Sequence, residues 1–158
     1  MKQRIQTSKA PNALGPYSQA IVTESLVFCS GQGPMDPTTN TLVEGDVAVQ
    51  TERTMKNIEA LLAEVGLDFS DVVKSTCYLA DMDDFKAFNE VYASFMPEPY
   101  PARTTIQAAR LPLDISVEIE VIAQRRSLAT RDCAPGLERA AGCLRGRGTV
   151  ATVAHGVA

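Results

Sequence analysis

At 158 residues, with 45% hydrophobic and 22% charged, the chain suits one globular domain that can bury roughly 70% of its unfolded surface; wholesale disorder is excluded. A net charge of −4 argues against a phosphate backbone as main partner, so nucleic acid is not expected as one. No apolar run approaches the ~18 residues of a membrane span, and MKQRIQTSKAPN is no signal peptide, so no membrane and a cytoplasmic location are expected, with a mitochondrial one left open.

Two strands come first, YSQAIVT (17–23) and LVFCSGQ (26–32), with Glu24-Ser25 between them as a hairpin connection. PMDPTTNTL (34–42) is turn chemistry. From Asp46 to Val65 the period turns helical: Met55, Ile58, Leu61, Leu62 and Val65 recur every three or four residues, Glu52 and Lys56 stand at i,i+4, and Gly66 follows as the C′ residue. VVKSTCYLA (72–80) reads as a buried strand. A second helix starts near Asp83, carries Phe85, Phe88, Tyr92 and Phe95 on one face, and stops at Pro97.

RTTIQAA (103–109) and SVEIEVIA (116–123) flank the turn RLPLDI and read as an antiparallel hairpin. Val117, Ile119 and Val121 alternate strictly with Glu118 and Glu120; Arg103, Thr105 and Gln107 share the face opposite Thr104 and Ile106. One polar face is therefore expected to carry the arginine and both carboxylates, leaving the other for the helices. The fold class is α+β: a mostly antiparallel sheet covered on one face by two helices. Closing the open polar face calls for a second copy of the chain, because burying unpaired charge is costly.

Residues 127–158 differ in composition. They hold 5 of the 10 glycines, the only histidine (His155), no aromatic residue and four arginines, and read as a C-terminal extension outside a domain spanning 1–126. A poorly ordered extension and a partner-binding arm both remain open. Without apolar periodicity the segment has little to bury, so a chain ending at Ser127 is expected to melt within a few degrees of the full one.

Elimination narrows the chemistry. Residues 1–126 contain no histidine, so no Ser-His-Asp or Cys-His arrangement can be built there. Cys29, Cys77, Cys133 and Cys143 have no zinc-type spacing, and Cys29 and Cys77 sit in apolar runs that suit core packing; no metal and no cofactor are expected. Gly31-Gln32-Gly33 lacks a following helix and reads as a turn rather than a nucleotide cradle. Arginine, carboxylate, hydroxyl and backbone groups remain. Arg103 offers a permanently charged fork for a carboxylate, either a substrate's or that of Glu118 or Glu120 across the hairpin. Glu118 is a solvated face residue or a general base, and Tyr17 a packed turn aromatic or a catalytic phenol.

PNALGPYSQAI (11–21), SGQ (30–32), NEVYASF (89–95) and PARTTIQAARLPLDISVEIEVIA (101–123) together, in this order, resemble the RidA family, from about residue 3 to Arg126. The resemblance implies a chorismate-mutase-like α+β fold assembled as a homotrimer with clefts between subunits. It also implies hydrolytic deamination of reactive enamine and imine intermediates (2-aminoacrylate/2-iminopropanoate, 2-iminobutanoate) to 2-keto acids and ammonia, without cofactor or metal. Arg103 matches the family's substrate-carboxylate arginine, and Glu118 the cleft glutamate that positions water. Tyr17, Ser30, Gly31 and Asn89 match its other substrate-binding positions. Thr105 stands where many bacterial members have cysteine; its hydroxyl can assist, but a mechanism that needs a thiol is excluded. FMPEPYPAR is shorter than the bacterial form, which leaves substrate size open. Two other classes remain: a non-catalytic ligand-binding or chaperone-like trimer, and RNA binding or ribonuclease activity, which the acidic domain opposes and the arginines of the extension keep open.

Overall fold

The computed structural model describes residues 1–126; the expectation for 127–158 lies outside the described residues. In chain order come β1 (Gln3–Ile5), β2 (Ala20–Val22), β3 (Leu26–Gln32), α1 (Val47–Glu64), β4 (Val72–Leu79), α2 (Phe85–Phe95), β5 (Ala102–Gln107) and β6 (Val117–Gln124). The strands form one sheet in the order β1-β2-β3-β6-β4-β5. Every pairing is antiparallel except β4 with β5, which is parallel.

The alternation in β6 places that strand between β3 and β4. Val117, Ile119, Val121 and Ala123 are buried, and Glu118, Glu120 and Ile122 face the other way. Val27, Cys29, Ser75, Cys77 and Leu79 join the buried side, beneath the two helices. Met55, Ile58, Leu61, Leu62 and Phe88 fill it with no exposed surface; each such side chain stabilises the fold by roughly 1.5–3 kcal/mol. Local chemistry bounds α1: the Asp46 carboxylate accepts from Val49 N at 3.0 Å, and Gly66, the expected C′ residue, closes the other end at φ +71°. Lys56 pairs with Glu52 at 2.6 Å on the outer side. Among the described residues no helix is long and apolar enough to cross a membrane.

Four expectations are corrected. The hairpin of 103–109 with 116–123 does not form: β5 is an edge strand paired with β4, while β6 lies on the far side of β4. A strand, a helix and a strand in succession make a crossover, and crossovers join parallel strands. The first strand of the expected N-terminal hairpin is only Ala20–Val22, with β1 added outside it. A 3-10 turn at Met82–Asp84 precedes α2, which begins at Phe85. Gly31 lies within β3 rather than in a turn.

Candidate active site

The register decides which face each functional side chain takes. Arg103, Thr105 and Gln107 pair with Ser75, Cys77 and Leu79, so they belong to the helix-covered side. Glu118 and Glu120 pair with Tyr78 and Thr76 on the open side. The single polar face expected from the sequence is therefore wrong: one chain puts its arginine and its two carboxylates on opposite faces of the sheet. A pair between Arg103 and Glu118 or Glu120 within the chain is excluded with it.

On the open side, β3 carries a bulge. Cys29 pairs with Val121 and Gln32 with Ile119, so Ser30 and Gly31 together stand opposite Glu120. Both line a cleft of about 330 Å³ with Tyr17, Gln32, Leu113 and Glu118. The Glu118 side chain lies directly over Gly31. A Cβ there would stand 2.9 Å from Glu118 Cδ and collide with Oε1, so any side chain at this position would displace the Glu118 carboxyl group. Burial, and secondarily the charge of Glu120, pushes the Glu118 carboxyl above its ordinary value. A carboxylate with that shift is a better proton acceptor than a solvated one.

Buried polar side chains hold the walls of this cleft. Gln19 accepts from Thr7 N at 2.8 Å and donates to Ala10 O at 3.1 Å and Pro11 O at 2.7 Å, which ties the N-terminal segment to β2. Ser30 Oγ donates to Ser18 O at 2.7 Å. Asn57 Nδ2 donates to Gly33 O and Met35 O, fixing the loop after β3 to α1. Tyr17 is 50% exposed; its hydroxyl accepts from Leu14 N at 3.1 Å, so the residue is a cleft wall rather than packed interior.

On the covered side, Arg103 opens a second cleft, of about 350 Å³, with Asn89, Tyr92, Tyr100 and Pro101. Its guanidinium carbon lies 4.8 Å from the Tyr92 ring centroid, 5.7 Å from Phe85 and 5.9 Å from Phe88. Among the described residues the ion pairs are made by Lys56, Arg110 and Arg126, none by Arg103. Its charge lies over aromatic faces within the ~6 Å across which a cation–π attraction acts, and the fork meets no carboxylate among the described residues. Thr105 follows on the same face, its Oγ1 buried with no hydrogen-bond partner. The thiol beside it in register, Cys77, is pushed up to about 11 by burial, and Cys29 to about 12. Both are core thiols rather than thiolates. Among the described residues no group of three or more His, Cys, Asp or Glu could hold a metal ion.

The residues singled out by sequence thus fall into two clusters on opposite faces of the sheet. Tyr17, Ser30, Gly31 and Glu118 form one; Asn89 and Arg103 form the other, with Thr105 two residues along the same strand face. Sequence reasoning missed the aromatic support of Arg103. The stripe of Phe85, Phe88 and Tyr92 was legible, but only the parallel pairing of β5 with β4 places the arginine over it. The orphaned hydroxyl of Thr105 and the positive φ of Leu113, at 59°, had no local signal at all.

The sequence model of the family described as endoribonuclease L-PSP matches residues 7–125. Reactive Intermediate Deaminase A, chloroplastic, of Arabidopsis thaliana is 51% identical over 122 residues, 77% of this chain and 65% of that protein. The human 2-iminobutanoate/2-iminopropanoate deaminase is 42% identical over 130 residues, 82% of this chain and 95% of that one. The crystal structure of E. coli TdcF with bound serine superposes with a TM-score of 0.74 at 40% identity, covering 78% of this chain and 99% of that one.

Proposed function

The chain belongs to the endoribonuclease L-PSP family, that of the RidA proteins, and from that premise we propose that it hydrolyses reactive enamine and imine intermediates to 2-keto acids and ammonia. The observation that carries this is Arg103, a guanidinium held by three aromatic rings and paired with no carboxylate of the described chain. An imino acid brings the missing carboxylate. Water adds to the carbon of its C=N bond, and Glu118 takes the water proton and returns it to nitrogen. The hydroxyl proton of the resulting carbinolamine then passes, again by way of Glu118, to nitrogen as the C=O bond forms and the C–N bond breaks, leaving keto acid and ammonia. Ser30 and Gly31 backbone groups and the Thr105 hydroxyl assist by positioning. The serine of the E. coli relative is a ligand with the same carboxylate.

The two clusters lie on opposite faces of one sheet and can meet where a neighbouring copy supplies one of them, so a homotrimer with clefts between subunits is part of the proposal, as is a cytoplasmic location. Phe28 and Ile106, 41% and 47% exposed on the open face, support the assembly: such side chains gain by burial against a neighbour. Light scattering at micromolar concentration is expected to give three times the chain mass, and the same sample should release 2-oxobutanoate from freshly generated 2-iminobutanoate faster than buffer does. A monomer, or hydrolysis at the buffer rate, overturns the proposal. The family's description favours a second reading, an RNA-cleaving activity. Against it stand 17 acidic to 11 basic residues in 1–126 and the lack of any histidine there. RNA cleaved by wild type but not by Glu118→Gln would put that reading first.

A further inference from the structure

A bidentate bond to a carboxylate needs the arginine fork in one plane and one place, yet an exposed arginine without an ion pair samples many rotamers. Arg103 is such a residue, and what limits it is the ring beneath it. Tyr92 is 4% exposed and carries the nearest ring face, at 4.8 Å. Its plane is constrained on one side by Phe88, with centroids 5.7 Å apart and a 42° tilt. At its far end the hydroxyl meets Ser75 Oγ at 2.7 Å in the interior, where Ser75 has no exposed surface.

We propose that the buried Ser75–Tyr92 hydroxyl pair is the positioning device of Arg103: it fixes the Tyr92 ring, and the ring face fixes the guanidinium that receives the substrate carboxylate. This rests on the carboxylate role given to Arg103 above. The strands close the device into a loop. Ser75 is the parallel register partner of Arg103, so one residue holds the arginine at both ends: its backbone through the β4–β5 pairing, its head group through Tyr92. Ser75 is fully buried and Tyr92 nearly so, so losing one hydroxyl leaves the second unsatisfied and the ring less constrained. Burial pushes the Tyr92 hydroxyl above its ordinary value, which keeps the phenol neutral and leaves Arg103 with no competing anion.

A purely structural pair would satisfy a buried phenol and nothing more. The two roles separate with two competitive inhibitors, 2-oxobutanoate and its neutral counterpart 2-oxobutanamide. Tyr92→Phe and Ser75→Ala are each expected to weaken inhibition by 2-oxobutanoate about three- to tenfold, with KM rising in step and kcat within about twofold of wild type. Inhibition by 2-oxobutanamide should not change. The double variant is expected to be no weaker than either single one, because both remove the same unit. Tyr92→Leu, which removes the ring face as well, should fall about a further threefold; if it does not fold, the two milder variants still decide. Keto acid and amide weakened alike, or an additive double variant, would overturn the device. It is also overturned, while the carboxylate role stands, if Arg103→Ala loses 2-oxobutanoate binding and neither hydroxyl variant does. If Arg103→Ala itself binds 2-oxobutanoate normally, the proposed function fails, and the device with it.

Discussion

Arg103→Ala is expected to lower kcat/KM for imine hydrolysis about 100-fold or more while leaving the fold and its assembly intact. Each charge-assisted hydrogen bond is worth roughly 1.5–3 kcal/mol, and a bidentate contact supplies two. At about 1.4 kcal/mol per tenfold, even the lower figure doubled reaches two orders of magnitude. The fold should tolerate the change, because the guanidinium makes no ion pair and sits over rings that pack on one another without it. Arg103→Lys keeps a cation over Tyr92 but not the fork, and should recover only a small part of the rate. Thr105→Ala should be milder than either. Steady-state rates on freshly generated imine, with melting curves as control, decide the matter. A folded Arg103→Ala with near-wild-type turnover would make the arginine structural.

Glu118→Gln is expected to bind keto acid almost normally and to turn over about 10²–10⁴ times more slowly, since it keeps the shape over Gly31 and loses the base. Two signs follow from the raised carboxyl. Activity needs the ionised form, so the wild-type rate should fall on acidification at a pH above the ordinary glutamate range. For stability, a carboxyl raised by folding contributes fully below its unfolded value, and that contribution is lost as pH rises through its folded value. Glu118→Gln should therefore melt above wild type at neutral pH, by a margin that shrinks toward pH 4. Mixing decides where the sites lie. Arg103→Ala and Glu118→Gln, each inactive, should regain roughly a quarter of wild-type activity once unfolded and refolded together, because in a three-fold ring about one junction in four then joins an intact arginine to an intact glutamate. No recovery would mean that no junction between subunits joins the two groups, and the shared cleft would be wrong.

What the sequence disclosed was local. The alternation of Val117, Ile119 and Val121, the helical period up to Val65, Gly66 and the stripe on α2 each depend on neighbours within a turn or a strand, and all appear in the structure. The candidate site residues were legible as residue types and by family resemblance, but not as a geometry. Alternation shows that Arg103 and Thr105 share a face; it does not say which face of the sheet that is. That depends on the strand they pair with, and the nearest strand-like run in the sequence, 116–123, was the wrong one. Between them Leu113 and Asp114, at φ 59° and 55°, turn the chain through a 3-10 segment and send β6 past β4 to lie beside β3. The pattern of strand, helix and strand from 72 to 107 held the signal for a parallel partner.

The bulge in β3 has an arithmetic consequence. Side chains in a strand count off in twos, and before the bulge the odd positions Val27 and Cys29 belong to the interior. The extra residue shifts the count by one, so beyond it the even position Gln32 is the interior one. Within that change of parity two successive residues are spared the alternation, and these are Ser30 and Gly31, the pair that faces Glu118. The segment can therefore be neither lengthened nor shortened by a single residue without turning one end of β3 inside out. Substitution can test the cleft here one side chain at a time, whereas insertion or deletion changes the cleft and the sheet in the same step.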